Sequence, residues 1–462
     1  MKGVFDMAII LLLVLSAAEI GLVAFEWQKE ITKREWSAHR LYACVGELLL
    51  YLGMLILPGI DFGFRFKLLA FLLVLRCLVS GILRLCSRKN DKRKRKGTIA
   101  AGAVFGIFVF LLSLLPAFLF ADYNGRPLTG EYEVKECSAI LTDPQRAEEF
   151  EQDGSGREVP IHFYYPEDSG QKGLHSLPLV IFSHGAFGYY QSNTSTYREL
   201  ASHGFVVISL DHPYHSFFTK DTDGKIITVN PEFLQTALEI GASDRPDAEI
   251  FPITSQWMKL RTEDMNFVLD TVKEATNAKP DERWYFPDGT EKEVLSVLAR
   301  INPEKIGLIG HSLGGATAVT VGRREDISAV IDLDGTMLGE ELGMENGKVV
   351  YNEQPYPTPI LDIRNEEHYQ ACLEAEKKNE PYVNNIVMNN AANGFVTHFQ
   401  NSGHMNFTDL PLFAPALAEK LGTGKIDPVY CVDQMNEIAV SFLEYYLKGQ
   451  GTFEVEESYS EK

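Results

Sequence analysis

No Cys-x-x-Cys pair occurs anywhere in this chain, and its six cysteines are scattered. Without thiols at metal-ligand spacing the sequence argues against a zinc site. Only Cys137, Cys372 and Cys431 lie beyond residue 121, so that portion admits at most one internal disulfide. Positive charge is also scarce, with 43 Lys and Arg against 63 Asp and Glu and a formal net charge of −20. The deficit is uneven: residues 1–121 carry +8 and the rest −28. So acidic a domain argues against nucleic acid or an anionic lipid surface as its main partner. Internal repeats and long low-complexity tracts are lacking as well, which leaves repeat architectures out of consideration.

What is abundant is apolar sequence before residue 121. Four runs, about 7–25, 41–60, 66–86 and 98–121, are each long enough to cross a bilayer core as a helix. The connection 88–96 holds seven basic residues and one acid, and 27–40 holds Lys29, Lys33, Arg34 and Arg40. The positive-inside rule puts both connections in the cytoplasm, so four crossings leave residues 122–462 outside the cell membrane. Residues 1–18 also fit a cleaved signal peptide. Three remaining spans would then expose the 88–96 cluster outside, so the charge bias favours four retained helices. Glu19, Glu47 and Arg76 sit inside the runs at a common depth, roughly 10–12 Å from the cytoplasmic ends. That placement predicts an internal Glu–Arg cluster joining the helices.

From residue 129 onward, short strand-like runs alternate with helical stretches, the pattern of an α/β domain with a mostly parallel sheet. Strands are expected at 132–142, 159–165, 177–183, 205–210, 306–310, 329–334, 359–364 and 394–399. Helices are expected at 193–203, 255–277, 290–300, 313–324, 411–421 and 433–448. Residues 216–254 look polar and irregular, where a lid or a surface excursion would sit, and 366–393 reads as an insertion without a clear role. The fifth strand runs into Gly310-His311-Ser312-Leu313-Gly314. This G-x-S-x-G elbow requires small residues because the serine must occupy a strained strand-to-helix turn that lifts its hydroxyl above the sheet. The pattern describes an α/β-hydrolase fold of eight strands behind four transmembrane helices.

A serine hydroxyl needs a histidine base and an acid that orients it, here in the order Ser, Asp or Glu, His. Only His368, His398 and His404 follow Ser312. His398 alternates with apolar residues as a strand residue does, and His368 opens the charged insertion. His404 lies in a Gly-containing loop after the last strand, where a base should project. For the acid, Asp332 and Asp334 share a face at the end of one strand, with Asp334 at its tip. Asp362, Glu366 and Glu367 follow the next strand and remain alternatives. Oxyanion donors are expected at the backbone N–H groups of Leu313 and of Ala186, in the turn after the third strand. His184 and His311 read as structural imidazoles.

Several stretches together resemble the platelet-activating factor acetylhydrolase family of the secreted, α/β-hydrolase type. They are Leu128-Thr129-Gly130-Glu131-Tyr132, Arg157-Glu158-Val159-Pro160, Phe182-Ser183-His184-Gly185, the run from Leu200 to Val207, the Ser312 elbow, Leu333-Asp334-Gly335 and Gly403-His404-Met405-Asn406-Phe407-Thr408-Asp409. The resemblance implies Ser312 as nucleophile, Asp334 as acid, His404 as base, and oxyanion donors at Ala186 and Leu313. It supports Asp334 over Asp362, because the family keeps its acid after the sixth strand. The helices before residue 121 and the segment 366–393 depart from the family's pattern.

The expected protein is thus a membrane-anchored serine ester hydrolase: residues 1–121 in the bilayer, 122–462 as the extracytoplasmic domain. A small-molecule or lipid ester is the expected substrate, with no cofactor or metal. Two other readings share these features. One is an acyltransferase using the same triad, the other a membrane sensor or transporter with a non-catalytic hydrolase-like binding module.

Overall fold

The computed structural model describes residues 2–28, 30–57, 60, 62–167, 173–242 and 245–461. The chain divides into two compact units, Met1–Asn124 with Leu412–Ala418, and Gly125–Pro411 with Glu419–Lys462.

The first unit is built on four helices, α1 (Lys2–Trp27), α2 (Lys33–Met54), α3 (Phe64–Cys86) and α4 (Lys96–Ser113). A capping box starts α2: the Thr32 hydroxyl accepts from Glu35 N while the Glu35 carboxylate accepts from Thr32 N. Stretches of α1, α3 and α4, namely Met7–Trp27, Phe64–Cys86 and Lys96–Ser113, are long and apolar enough to cross a membrane. The second expected span differs. Its helix begins at Lys33 and ends at Met54, so Lys33, Arg34, Glu35, His39 and Arg40 occupy its first turns and its apolar stretch is correspondingly short. The fourth run also breaks, at Leu114, and a short helix Leu115–Leu119 with Pro116 in its first turn follows.

Large apolar side chains such as Leu13, Leu49, Phe71, Leu78, Ile82 and Phe105 lie on the outside of this unit. The charges within its apolar stretches, Glu19, Glu47 and Arg76, lie inside. The Arg76 guanidinium pairs with Glu19 and, at 3.1 Å, with Glu47, and Arg40 reaches Glu19 at 2.5 Å. The expected Glu19–Glu47–Arg76 cluster is therefore present, with Arg40 as a fourth member. Gly106 of α4 makes room for it: a Cβ there would stand 3.0 Å from both Arg76 Nη1 and Glu19 Oε1. Apolar outside and ionic inside inverts the pattern of a water-soluble bundle.

The second unit is organised by one twisted sheet whose main strands are β1 (Val134–Ala147), β2 (Gly156–Pro166), β3 (Leu177–Ser183), β4 (Val206–Leu210), β5 (Ile301–His311), β6 (Ala329–Leu333), β7 (Ile360–Asn365) and β8 (Gly394–Phe399). They lie in the order β1-β2-β4-β3-β5-β6-β7-β8, and the two-residue strands Trp284–Tyr285 and Ser458–Tyr459 extend the two edges. β1 and β2 run antiparallel, as do β2 and β4, and from β4 to β8 every pairing is parallel. This is the α/β-hydrolase fold.

Both faces of the sheet are covered, so the central strands carry short continuous apolar runs, such as 177–182 and 306–309, rather than strict alternation. Alternation instead sorts side chains between two cores. Leu177, Leu179 and Ile181 of β3 join one, while Val180 and Phe182 join the other. The segment expected to be irregular is structured. Residues 216–254 contain a small hairpin, Phe218–Lys220 with Ile226–Thr228, a helix Pro231–Ala242 and the start of the long helix Asp247–Asn277. The insertion 366–393 contains helices Glu366–Lys378 and Val383–Asn389. The six cysteines are free thiols.

Candidate active site

Strand β5 ends at His311, and Ser312 takes φ 56° and ψ −124° before the helix Leu313–Val321 begins. A non-glycine residue pays steric energy for this conformation, so the surroundings must hold it there. The Ser312 N–H donates to Leu333 O at 2.9 Å, and Ser312 O accepts from Ala316 N at 3.0 Å. The small residues are sterically required. A Cβ on Gly310 would lie 2.0 Å from Gly314 O, and one on Gly314 would lie 2.0 Å from Ser183 O. Gly315 and Gly335 both back onto Asp332, whose Oδ1 accepts from Gly335 N at 2.9 Å.

Asp334 follows the tip of β6 with φ 57°. Its carboxylate accepts four hydrogen bonds: Asn365 N (2.9 Å) and His368 Nδ1 (3.0 Å) on one oxygen, Asn365 Nδ2 (2.5 Å) and His404 Nδ1 (2.6 Å) on the other. Burial works against the charge, but the hydrogen bonds from His368 and His404 outweigh it and hold the carboxyl well below its usual range. With Nδ1 donating to Asp334, His404 keeps Nε2 as its acceptor, and its side chain is 38% exposed. His368 is bound to the same carboxylate but is buried, and its Nε2 has no partner. Two imidazoles thus share one acid, and only one of them faces an opening.

The other candidates for the acid are occupied elsewhere. Burial and the neighbouring Asp362 push the Asp332 carboxyl well above its usual range, which favours its neutral form. Asp362 is taken by Arg364 at 2.8 Å, and Glu366 accepts from Asn401 N at 3.2 Å. His398 is a sheet residue: its Nδ1 donates to Glu457 O at 3.0 Å and its ring stacks on Tyr369.

The turn after β3 abuts the serine. A Cβ on Gly185 would stand 3.2 Å from Ser312 Cβ and 2.8 Å from His311 Nδ1, so only glycine allows this approach. Ala186 and Leu313 meet in one small apolar cluster with Phe233, Trp257, Met258 and Leu338. His311 donates through Nε2 to His404 O at 3.1 Å, which ties the elbow to the histidine loop. Burial, with His404 close by, pushes its pKa down to about 3, so it stays neutral. His184 is also buried and held neutral.

A second Ser–His–Asp chain lies beneath the turn. Ser183 Oγ donates to His212 Nε2 at 2.9 Å, and His212 Nδ1 donates to Asp264 at 2.9 Å. Asp264 also pairs with Arg157 and Arg146. All three members are fully buried, so no substrate reaches them. Sequence reasoning missed this chain, as it missed Asn365 and His368 on Asp334, because neither spacing nor composition brings these residues together.

The family described as platelet-activating factor acetylhydrolase, isoform II matches residues 165–461. The chain belongs to this family. Platelet-activating factor acetylhydrolase of Bos taurus is 26% identical over 295 residues, covering 60% of this chain and 59% of the relative. That of Canis lupus familiaris is 24% identical over 303 residues, covering 63% and 60%. A probable 1-alkyl-2-acetylglycerophosphocholine esterase of Arthroderma benhamiae is 25% identical over 167 residues, covering 36% and 33%. The chain spans about three fifths of the length of the first two. Among solved structures, a ferulic acid esterase from Streptomyces cinnamoneus matches at 18% identity and a TM-score of 0.48, covering 71% of this chain and 93% of that one. Within the acetylhydrolase family match lie Ser312, Asp334, His404, Ala186 and Leu313, whereas the four helices α1–α4 precede it.

Proposed function

We propose that this chain is a membrane-anchored serine ester hydrolase in which Ser312 attacks the ester carbonyl, His404 takes the serine proton and Asp334 orients and stabilises the resulting imidazolium. The observations that carry this reading are the hydrogen bond from His404 Nδ1 to Asp334 and the strained strand-to-helix turn at Ser312. The attack would place negative charge on the carbonyl oxygen, to be met by the N–H groups of Ala186 and Leu313. Collapse of that intermediate expels the alcohol, which receives the proton from His404, and leaves an acyl group on Ser312. Water, deprotonated by His404, then releases the acid.

The apolar cluster around Ala186 and Leu313 favours a short acyl group, because Phe233, Trp257 and Met258 close in on the donors. The names of the relatives point the same way, towards acetyl esters of ether glycerophospholipids. Three helices of spanning length favour an amphiphilic alcohol taken from the membrane, and the basic connection 88–96 before the last of them favours a catalytic unit outside the cytoplasm.

The test is hydrolysis of aryl esters from acetyl to long acyl by the detergent-solubilised full chain, beside Ser312→Ala. The substitution should lower kcat/KM by roughly 10⁴-fold or more, and turnover should decline with acyl length. Equal turnover by the two proteins would overturn the assignment.

A further inference from the structure

Arg261 lies in the long helix Asp247–Asn277, is completely buried, and is placed beside the turn that carries Ala186. Burying a guanidinium costs several kcal/mol unless its environment compensates. The usual compensation is a carboxylate. Here the donors go elsewhere: Nη1 to His184 O at 2.5 Å, Nη2 to Gly185 O at 3.2 Å, and Nε towards His215 Nδ1 at 3.4 Å. The nearby carboxylate of Asp264 is held by Arg157, Arg146 and His212. Burial pulls the pKa of Arg261 down to about 9, which still leaves it cationic at neutral pH.

Gly185 O is the informative acceptor. It takes the Arg261 donor, a donor from His184 Nδ1 at 2.6 Å and the N–H of Gly188 at 3.1 Å. A carbonyl oxygen has two lone pairs, so three donors leave it no freedom to reorient. The same peptide unit carries the N–H of Ala186. The peptide is planar and trans, so its C=O and N–H point in opposite directions and move as one body. Fixing the oxygen therefore aims the Ala186 N–H the opposite way. A cation on the oxygen also polarises the unit and makes that N–H a stronger donor.

We propose that Arg261 is a positioning residue for ester hydrolysis: with His184 it clamps Gly185 O, and through that peptide it aims and strengthens the Ala186 N–H for the oxyanion. This rests on the reading of Ser312 as nucleophile and Ala186 as oxyanion donor. The geometry also gives His184 a part in catalysis at one remove, as the second hand of the clamp. Its tautomer fits, because Nδ1 must carry the proton for Gly185 O while Nε2 accepts from Ser216 Oγ at 2.8 Å.

The experiment compares the full chain with Arg261→Gln, Arg261→Lys and Ser312→Ala on an acetyl aryl ester, with inhibition by an aryl trifluoromethyl ketone as a second readout. Such a ketone forms an oxyanion on the serine, so its affinity reports the hole itself. In Arg261→Gln, kcat should fall roughly 10- to 100-fold, less than or comparable to loss of a direct oxyanion donor. KM should stay within about twofold, and the ketone's inhibition constant should rise by the same factor as kcat falls. Arg261→Lys keeps the charge and should recover part of the loss. A merely structural role would instead lower the melting temperature and the active fraction while leaving the ketone affinity of the remaining sites unchanged. If neither variant folds, His184→Gln, which alters the other side-chain donor to Gly185 O, takes their place. It should show the same paired fall in kcat and in ketone affinity, and parental values for both overturn the proposal. Folded Arg261 variants with parental kcat and ketone affinity overturn it too. Full activity in Ser312→Ala would instead overturn the site reading on which it stands.

Discussion

At the residue scale, the question set by the structure is why Asp334 holds two imidazoles. Both donate through Nδ1, at 2.6 Å from His404 and 3.0 Å from His368, so proximity to the acid does not separate them. Access does. His404 is open to the site, whereas the far nitrogen of His368 is sealed in protein. His404→Ala should therefore lower kcat by roughly 10⁴-fold, as removal of a catalytic base does. His368→Ala removes one of several donors to the carboxylate and should cost only about 10-fold. A larger loss at position 368 than at 404, measured on the same ester, would reverse the assignment. The turns that carry Ser312, Asp334 and His404 were legible in the sequence because each lies in a short motif with glycine neighbours. His368 was legible only as a histidine opening a charged insertion. Its partner lies on a different strand, and no local pattern encodes that contact.

At the scale of elements, strands β3 and β8 match the expected ranges, and the others differ by a few residues at their ends. Apolar, β-branched runs bounded by turns are a strong local signal. The helix Asp247–Asn277 begins earlier than its pattern suggests: it runs through Pro252, which has no N–H to donate to Ala248 O and reads in sequence as a helix breaker. The insertion 366–393 was opaque for another reason: its first turn is shaped by contacts with Asp334, and its Asn384 donates to Gly335 O at 2.8 Å. The elbow itself makes a sharp prediction. Gly314→Ala would drive a methyl group into the carbonyl of Ser183, backbone against backbone, with no flexible side chain to yield. It should destabilise the fold by about 3 kcal/mol. A melting temperature equal to that of the parent would show that the helix after Ser312 can shift away from β3.

At the scale of the whole molecule, burial of neutral imidazoles sets an acid limit. His212 and His311 are each pushed down to about 3, and His184 and His215 also lie well below the ordinary histidine range, in every case chiefly by burial. Unfolding exposes them, and near pH 6.5 and below they take up protons that the folded chain refuses. Stability from this source is complete above about pH 6.5 and is lost as pH falls towards 3, by about 1.4 kcal/mol per pH unit for each imidazole. Three buried carboxyls act in the opposite sense, Asp409 raised to about 6, Glu341 raised to about 7 and Asp332 raised well above its usual range, but they are three groups against four. Melting temperature should fall between pH 6.5 and 5, and a flat profile there would contradict the argument.

The ionic network of the first unit has a consequence for how the chain is made. Synthesis delivers Glu19 first, then Arg40 and Glu47, and only later Arg76, the residue that meets both carboxylates. A nascent chain ending before residue 76 holds Glu47 without its counterion, and a lone carboxylate does not enter hydrocarbon readily. On the membrane-anchored reading proposed above, the second helix waits at the insertion machinery until the third has emerged. On that reading α2 and α3 enter the membrane in one step, timed by the arrival of one arginine.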